Sequence, residues 1–299
     1  MNINLGYCCI SVTKDNLKCS QSSTKTWLDS HTYGQSRHKL LEKANSNLDN
    51  LERLLHHNAT NGIYAFRLPE QLLPQFDLGY YDIAEFSDRL ATIGEIANSY
   101  DMQLSQHPSQ YYVLNSLNQS VVDKTIASLN TFADILDMMQ LVNTPNLTIH
   151  VGARGGYADE DAAIDAFCHN FQLLNDNAKR FLVVENDQNS FDIINCLAIH
   201  DLIGIPVVLD NAHHNMNNPD GVSLAVAVKL VLPTWGKRIP KFHLSSEDSQ
   251  ARHSHDDYVT IADYLSLVNP LTLIGPERVV IMCEAKKKDE AVLRLMQTN

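Results

Sequence analysis

Apolar residues in this chain fall in short runs, separated by longer stretches in which they recur every three or four positions. The runs are INLGY at 3–7, IYAFRL at 63–68, MQLSQH at 102–107, LTIH at 147–150, FLVVEN at 181–186, PVVLDN at 206–211, KFHLSS at 241–246 and VVIMCEA at 279–285. Their length, and the β-branched and aromatic content of most, predict buried parallel strands. Between them the helical period returns. Residues 39–60 place Leu40, Leu41, Ala44, Leu48, Leu51 and Leu55 on one face, with Gly62 as a stop signal. Residues 82–99 do the same with Ile83, Phe86, Leu90, Ile93 and Ala97, and residues 120–140 with Val122, Ile126, Leu129, Phe132 and Leu136. Further amphipathic patterns lie near 160–178, 191–203, 221–231 and 256–268.

Strands alternating with helices eight times predict a (β/α)8 TIM barrel, a single domain over residues 1–299. A doubly wound open sheet is the alternative, but no Gly-rich phosphate fingerprint follows the first strand, which ends at Tyr7. No linker or low-complexity segment divides the chain. One connection is unusual. Residues 11–38 are rich in Ser, Thr, Lys and Gln, and a loop this long in a compact domain is functional or disordered. On a barrel it belongs to the C-terminal mouth, where active sites lie.

The barrel gives meaning to the polar residues at the strand ends. His107 ends the third strand, His150 the fourth and Glu185 the fifth. Asp210 ends the sixth, with His213 three residues on; Lys241 and His243 lie in the seventh, His255 in the loop after it, and Glu284 ends the eighth. A lone histidine at such a place is more often a hydrogen-bonded structural residue, and a lone Asp or Glu often caps the next helix. Five histidines and three carboxylates converging on one mouth are another matter. Burying the carboxylates together without cations is costly, and metal ions remove that cost. A His and carboxylate set without Cys suits Mn²⁺, Zn²⁺ or Fe²⁺. Eight ligands are too many for one ion, so two or three are expected. Clustered divalent ions suit phosphodiester hydrolysis: one lowers the pKa of a bound water, and others hold the phosphate and the leaving oxygen. The remaining histidines, His31, His38, His56, His57, His169, His200, His214 and His253, are read as structural.

Composition sharpens the picture. The chain is 44% hydrophobic and 19% charged, an ordinary globular balance. Its 35 acidic and 23 basic residues give a net charge of -12, which argues against a general basic coat for nucleic acid. No apolar run is long enough for a membrane helix, and the N-terminal MNINLGYCCI does not read as a signal peptide. The cysteines Cys8, Cys9, Cys19, Cys168, Cys196 and Cys283 show no CxxC spacing and read as reduced thiols of a cytoplasmic protein.

The motifs at these strand ends resemble the UV damage endonuclease family of DNA repair enzymes. The segments that carry the resemblance are LGY at 5–7, HPSQYYVLN at 107–115, IHVGARGG at 149–156, VVENDQ at 183–188, PVVLDNAHHNMNNP at 206–219, LPTWGKRIPKFHLSS at 232–246 and CEAK at 283–286. They span nearly the whole chain. The resemblance implies a TIM barrel related to the abasic-site endonuclease IV group, with a metal cluster of manganese first among the candidates. It assigns His107, His150, Glu185, Asp210, His213, His243, His255 and Glu284 as metal ligands. Lys241 matches a lysine that in the family can be carboxylated beside the cluster, and with Glu185 and Glu284 it forms the expected catalytic set. Gln110 and Tyr111 match a pair that enters the duplex and probes the damaged bases, and Tyr7 matches a tyrosine at the lesion pocket. An aromatic can stack where bases are displaced, and an amide can pair with base edges. Two positions depart from the family pattern: Gln71 where some members carry His, and Ser11 where some carry Asn.

The expected activity is nicking of damaged double-stranded DNA on the 5′ side of UV photoproducts, and of abasic sites, by a monomer that needs no protein partner. A basic mouth would reconcile DNA with the acidic body. Lys14, Lys18, Lys25, Arg37, Arg67, Arg154, Lys237, Arg238 and Lys286 are the candidate cations. A metal-dependent sugar isomerase or epimerase on a similar barrel is the alternative, and a non-catalytic DNA damage binder a third reading. The large ligand set and the Gln110–Tyr111 pair favour the endonuclease.

Overall fold

A computed structural model describes residues 1–14, 17–152, 154–247 and 254–297; His253 lies outside the described residues. Eight parallel strands close into a barrel in sequence order, each hydrogen-bonded to the next and β8 to β1. They are β1 (Asn2–Cys8), β2 (Ala65–Leu68), β3 (Gln103–Gln106), β4 (Asn146–His150), β5 (Leu182–Glu185), β6 (Val207–Asp210), β7 (Lys241–Leu244) and β8 (Arg278–Cys283). Each falls within or beside a predicted apolar run. The alternation of strand and helix is the (β/α)8 architecture, and the open-sheet alternative is excluded by the β8–β1 ladder, in which Tyr7 faces Cys283.

The surrounding helices are α1 (Lys25–Asp29), α2 (Tyr33–Thr60), α3 (Ser87–Ser99), α4 (Gln119–Met138), α5 (Glu160–Phe171), α6 (Asp176–Phe181), α7 (Ile193–Ile203), α8 (Asn211–Met216), α9 (Leu224–Val231), α10 (Ile261–Ile274) and α11 (Lys288–Met296). Their starts carry the expected chemistry. Thr32 and Gln35 form a reciprocal capping box at α2, and Asp192 and Asn195 form another at α7. The helices α8 and α11 were not legible in the periodicity. The first is barely two turns long, and the second begins inside the charged run KKKDE.

The 11–38 segment is not one long loop. It contains α1 and the first turns of α2. At about 1.5 Å per residue, the 28-residue α2 is roughly 42 Å long, far longer than a strand of four to seven residues. Asn58, near its end, already accepts a 2.7 Å hydrogen bond from the Tyr7 hydroxyl at the top of β1. The earlier turns of α2 therefore pack on the mouth loops, not on the barrel wall. Asn47, fully buried on that face, donates to the carbonyls of Gln21, Gln71 and Leu72.

Close packing of α3 against the end of α4 depends on Gly94. A Cβ there would lie 1.6 Å from the Met139 carbonyl oxygen, which is backbone and cannot rotate away. Gly94→Ala is expected to cost about 3 kcal/mol or more in urea unfolding. Gly34→Ala, in open space within α2, is expected to be neutral or to stabilise by up to about 1 kcal/mol. Equal effects of the two substitutions would contradict this packing.

Candidate metal centre

Strand register assembles the site. It places His150 beside Glu185 and Asp210 beside His243. Glu185, 1% exposed at the end of β5, lies at the focus. Its Oε2 is 2.8 Å from His107 Nε2 and its Oε1 is 2.7 Å from His243 Nδ1. His150 Nε2 lies 3.8 Å and His213 Nδ1 3.7 Å from the same carboxylate. Glu284, just past β8, has Oε1 3.3 Å from His243 Nδ1 and Oε2 3.4 Å from His255 Nε2. Three overlapping trios result: His107, His150 and Glu185; Glu185, Asp210 and His213; Asp210, His243 and Glu284. Glu185 and Asp210 each serve two trios and so can bridge neighbouring ions. His255 is more exposed and, among the described residues, meets the cluster through Glu284.

Burial alone would push the Glu185 carboxyl up, but the imidazoles of His243, His150 and His107 hold it well below its ordinary range. For Glu284, burial is likewise overcome, by Arg67 and His243. Burial lowers the pKa of His107 and of His150. His213 goes the other way: burial opposes its charge, but Asp210 and Glu185 raise it to about 9.

Several observations fit these residues to divalent ions. The His107 Nδ1 lies 3.0 Å from the Pro108 carbonyl, which can only accept, so Nδ1 carries the proton. Its Nε2 then faces the Glu185 oxygen, a contact that needs a second proton or a cation between the two. Burial disfavours a second proton on that ring. The His213 Nδ1 likewise meets the Asn186 carbonyl at 3.0 Å, leaving Nε2 as the donor atom. Asp210 Oδ1 accepts from the His213 backbone N–H at 2.8 Å and caps α8. Its Oδ2 and His243 Nε2 are buried with no hydrogen-bond partner among the described residues. Capping with Oδ1 thus leaves Oδ2 of the same carboxylate available to a cation. The donors are nitrogen and carboxylate oxygen, without sulfur, which suits a hard or borderline divalent cation.

Other residues, which sequence reasoning missed, hold the ligands in place. Buried Asn186 accepts from the Asp210 N–H at 2.9 Å and donates to its carbonyl at 3.3 Å, locking β5 to β6. Asn211 does the same for Ser245 between β6 and β7. Their signal was an amide directly after a ligand at a strand end, in EN and DN. Glu70 accepts from the Ser109 N–H and the Tyr112 hydroxyl, both at 3.0 Å, and so fixes the loop after His107. Deep in the barrel, Lys241 donates to Ser105 Oγ at 2.9 Å. Burial, with Arg67 nearby, lowers its pKa to about 8.

Beside the cluster opens a cavity of about 330 Å³, lined by Gln110, His150, Asp187, Gln188, Asn189 and His213. Gly152 lets the wall close in: its φ is +114°, and a Cβ would lie 2.4 Å from Val113 Cγ1. Tyr111, next to Gln110 in sequence, is 79% exposed. Tyr7 is not brought to this cavity. It is fully buried, edge-on to Phe66, and burial raises its pKa. The two departures also have local roles. Gln71 accepts from Ser22 Oγ at 3.1 Å, and Ser11 Oγ donates to Asp289.

The expected basic mouth needs correction. Arg67 is spent on Glu284 at 2.5 Å, Arg37 on Glu85, Lys25 on Asp29 and Arg154 on Glu160. Arg238 lies at the other end of the barrel, where it donates to carbonyls of Pro145, Arg180 and Phe181 at the starts of β4 and β5. Lys237 precedes it at that same end of β7. Lys14 and Lys18 stay at the mouth side and carry no ion pair among the described residues.

The family model for the UV-endonuclease UvdE matches residues 3–299. A UV DNA damage endonuclease of Clostridium perfringens (strain 13 / Type A) is 29% identical over 306 residues, covering 99% of this chain and 70% of the relative. The crystal structure of SacUVDE superposes with a TM-score of 0.88 at 28% identity, covering 99% of this chain and 98% of the other. D-Psicose 3-epimerase from Clostridium cellulolyticum H10 shares only the barrel, with a TM-score of 0.54 and 13% identity over 78% of this chain and 79% of that one.

If the trios bind metal, divalent cations should stabilise the chelator-treated protein. At a hundredfold excess over Kd the gain is about 2.7 kcal/mol, of the order of 5 °C in Tm. Glu185→Ala, which removes the shared ligand, is expected to lose most of that rise. A wild-type Tm indifferent to Mn²⁺, Zn²⁺ and Fe²⁺ would contradict the site.

Proposed function

The chain belongs to the UV-endonuclease UvdE family, and from that premise we propose that it is a metal-dependent endonuclease that nicks duplex DNA 5′ to UV photoproducts. The observation that carries this reading is the buried set of overlapping trios around Glu185 and Asp210, at the mouth of the barrel and beside an open cavity. Two or three divalent ions, with Mn²⁺ first and Zn²⁺ or Fe²⁺ as alternatives, would be held by His107, His150, Glu185, Asp210, His213, His243, His255 and Glu284. When bound, such ions activate water and neutralise charge on the scissile phosphate.

The chain's own residues do the rest. Glu185 and Asp210 keep neighbouring ligands at fixed spacing, and Asn186 and Asn211 keep those carboxylates oriented. Arg67 holds Glu284 ionised from the barrel wall. Lys241, pushed down toward neutrality, presents an amine able to react with carbon dioxide, which accords with the carboxylation that the family resemblance implies. Gln110, on the cavity wall, and Tyr111, next to it in sequence and exposed, would meet bases displaced from the stack. The sugar epimerase alternative retains only a fold-level likeness.

The test is a nicking assay on a duplex with one defined photoproduct, across a panel of divalent metals. Cutting on the 5′ side, leaving 3′-hydroxyl and 5′-phosphate ends, is expected with Mn²⁺. A metal-loaded protein that leaves the duplex uncut would sink the reading. Glu185→Gln, nearly isosteric, should lower the rate by at least about a thousandfold, the scale of losing a main electrostatic group.

Tyr111→Ala is expected to act differently. The preference for damaged over intact duplex should fall by about tenfold, since stacking on a base is worth about 1–3 kcal/mol. The metal-induced Tm rise should be unchanged. Unaltered discrimination would remove Tyr111 from the lesion contact.

A further inference from the structure

The described residues after β1, 10–14 and 17–22, are each tied down. In the first stretch, fully buried Asp289 in the first turn of α11 accepts from the Val12 N–H at 2.7 Å, the Thr13 N–H at 3.3 Å, and the hydroxyls of Ser11 and Thr13. In the second, two asparagines one turn apart on α2 hold the backbone. Asn50 donates to the Lys18 carbonyl at 3.0 Å, and Asn47 exchanges hydrogen bonds of 2.8 and 3.0 Å with the Gln21 backbone. Leu17 and Cys19 are buried beneath it. Holding irregular backbone this firmly costs conformational entropy and commits three buried polar side chains. Between the segment and α2 runs a cleft of about 850 Å³.

Lys14, Lys18 and Lys43 line that cleft, and none has an ion-pair partner among the described residues. No carboxylate is among the described residues that line it. In a chain of net charge -12, in which Arg37, Arg67 and Arg154 are paired with carboxylates, three lysines without an ion pair among the described residues mark a cleft where an anion is tolerated. The place is close to the metal centre. Cys8, two residues before the segment, pairs in register with Arg67, which holds Glu284.

We propose that this cleft carries phosphates of the DNA backbone, with Lys14, Lys18 and Lys43 as its contacts, and so sets the path of the duplex over the β1 side of the mouth. The proposal rests on the endonuclease reading. Lys14 and Lys18 are exposed and Lys43 is half-buried, so these are solvated point charges on flexible stems. Such groups suit a polyanion that brings its own counterions, not a small anion that must be stripped of water.

The experiment uses the metal-loaded, full-length enzyme and its Lys14→Gln/Lys18→Gln/Lys43→Gln variant. Binding to intact and photoproduct-containing duplexes is measured over a range of salt concentrations, together with nicking kinetics. Each phosphate contact contributes about 0.9 to the slope of log affinity against log salt, so the slope should fall by about 2.7. Affinity for both duplexes should drop by the same factor, and KM should rise while kcat holds. The corresponding triple Lys→Arg variant should keep the wild-type slope. An unchanged slope in the Gln variant, or an equal loss in the Arg variant, overturns the proposal while leaving the nuclease assignment intact. A wild type with no salt-dependent duplex binding and no cutting overturns both.

Discussion

The organisation of this protein turns on one buried carboxylate. Glu185 is 1% exposed, and the imidazoles of His243, His150 and His107 hold its carboxyl well below the ordinary range against the effect of burial. Two of those contacts, at 2.7 and 2.8 Å, join groups that would need a proton or a cation between them. The barrel makes this crowding unavoidable: adjacent strands lie about 4.8 Å apart, and the register puts a ligand at the end of almost every strand from β3 to β8. The cost of that arrangement is the cost of desolvating charge, and bound divalent cations would remove it. Fold and the proposed metal chemistry would then be two aspects of the same constraint.

Around this centre the structure devotes buried amides to backbone geometry. Asn186 and Asn211 tie β5 to β6 and β6 to β7 at the level of the ligands. Asn47 and Asn50 do similar work for the mouth segment after β1, and Asp289 completes it from the far end of the chain. Each is buried and bonded to backbone carbonyls or N–H groups that would otherwise lack a partner. These bonds tie down the described mouth backbone that carries exposed groups such as Lys14 and Lys18.

The strands, and the gathering of His107, His150, Glu185, Asp210, His213, His243 and Glu284 at one mouth, were legible because each depends on short-range pattern. Runs such as FLVVEN and PVVLDN announce a buried strand, and the polar residue closing the run announces its exposed end. What was not legible depends on tertiary direction. Tyr7 closes a run just as Glu185 does, yet its side chain enters the core and meets Asn58, and nothing in the local sequence distinguishes the two. Arg67 reads as a mouth cation until Glu284, more than two hundred residues later, is seen to claim it. Arg238 precedes a strand, so it belongs to the opposite end of the barrel, a consequence of strand direction alone. The 11–38 segment reads as a loop because α1 is short and the contacts fixing the segment come from Asn47, Asn50 and Asp289.

The central claim is that the donors around Glu185 and Asp210 hold a cluster of divalent ions. Anomalous X-ray scattering at the manganese edge, from crystals loaded with Mn²⁺, tests it most directly. The account predicts at least two peaks at ligand distance, about 2.1 Å, from atoms of Glu185 or Asp210, with His243 Nε2 among the donors. Ions bound elsewhere, or no peaks at concentrations that support DNA cutting, would contradict it.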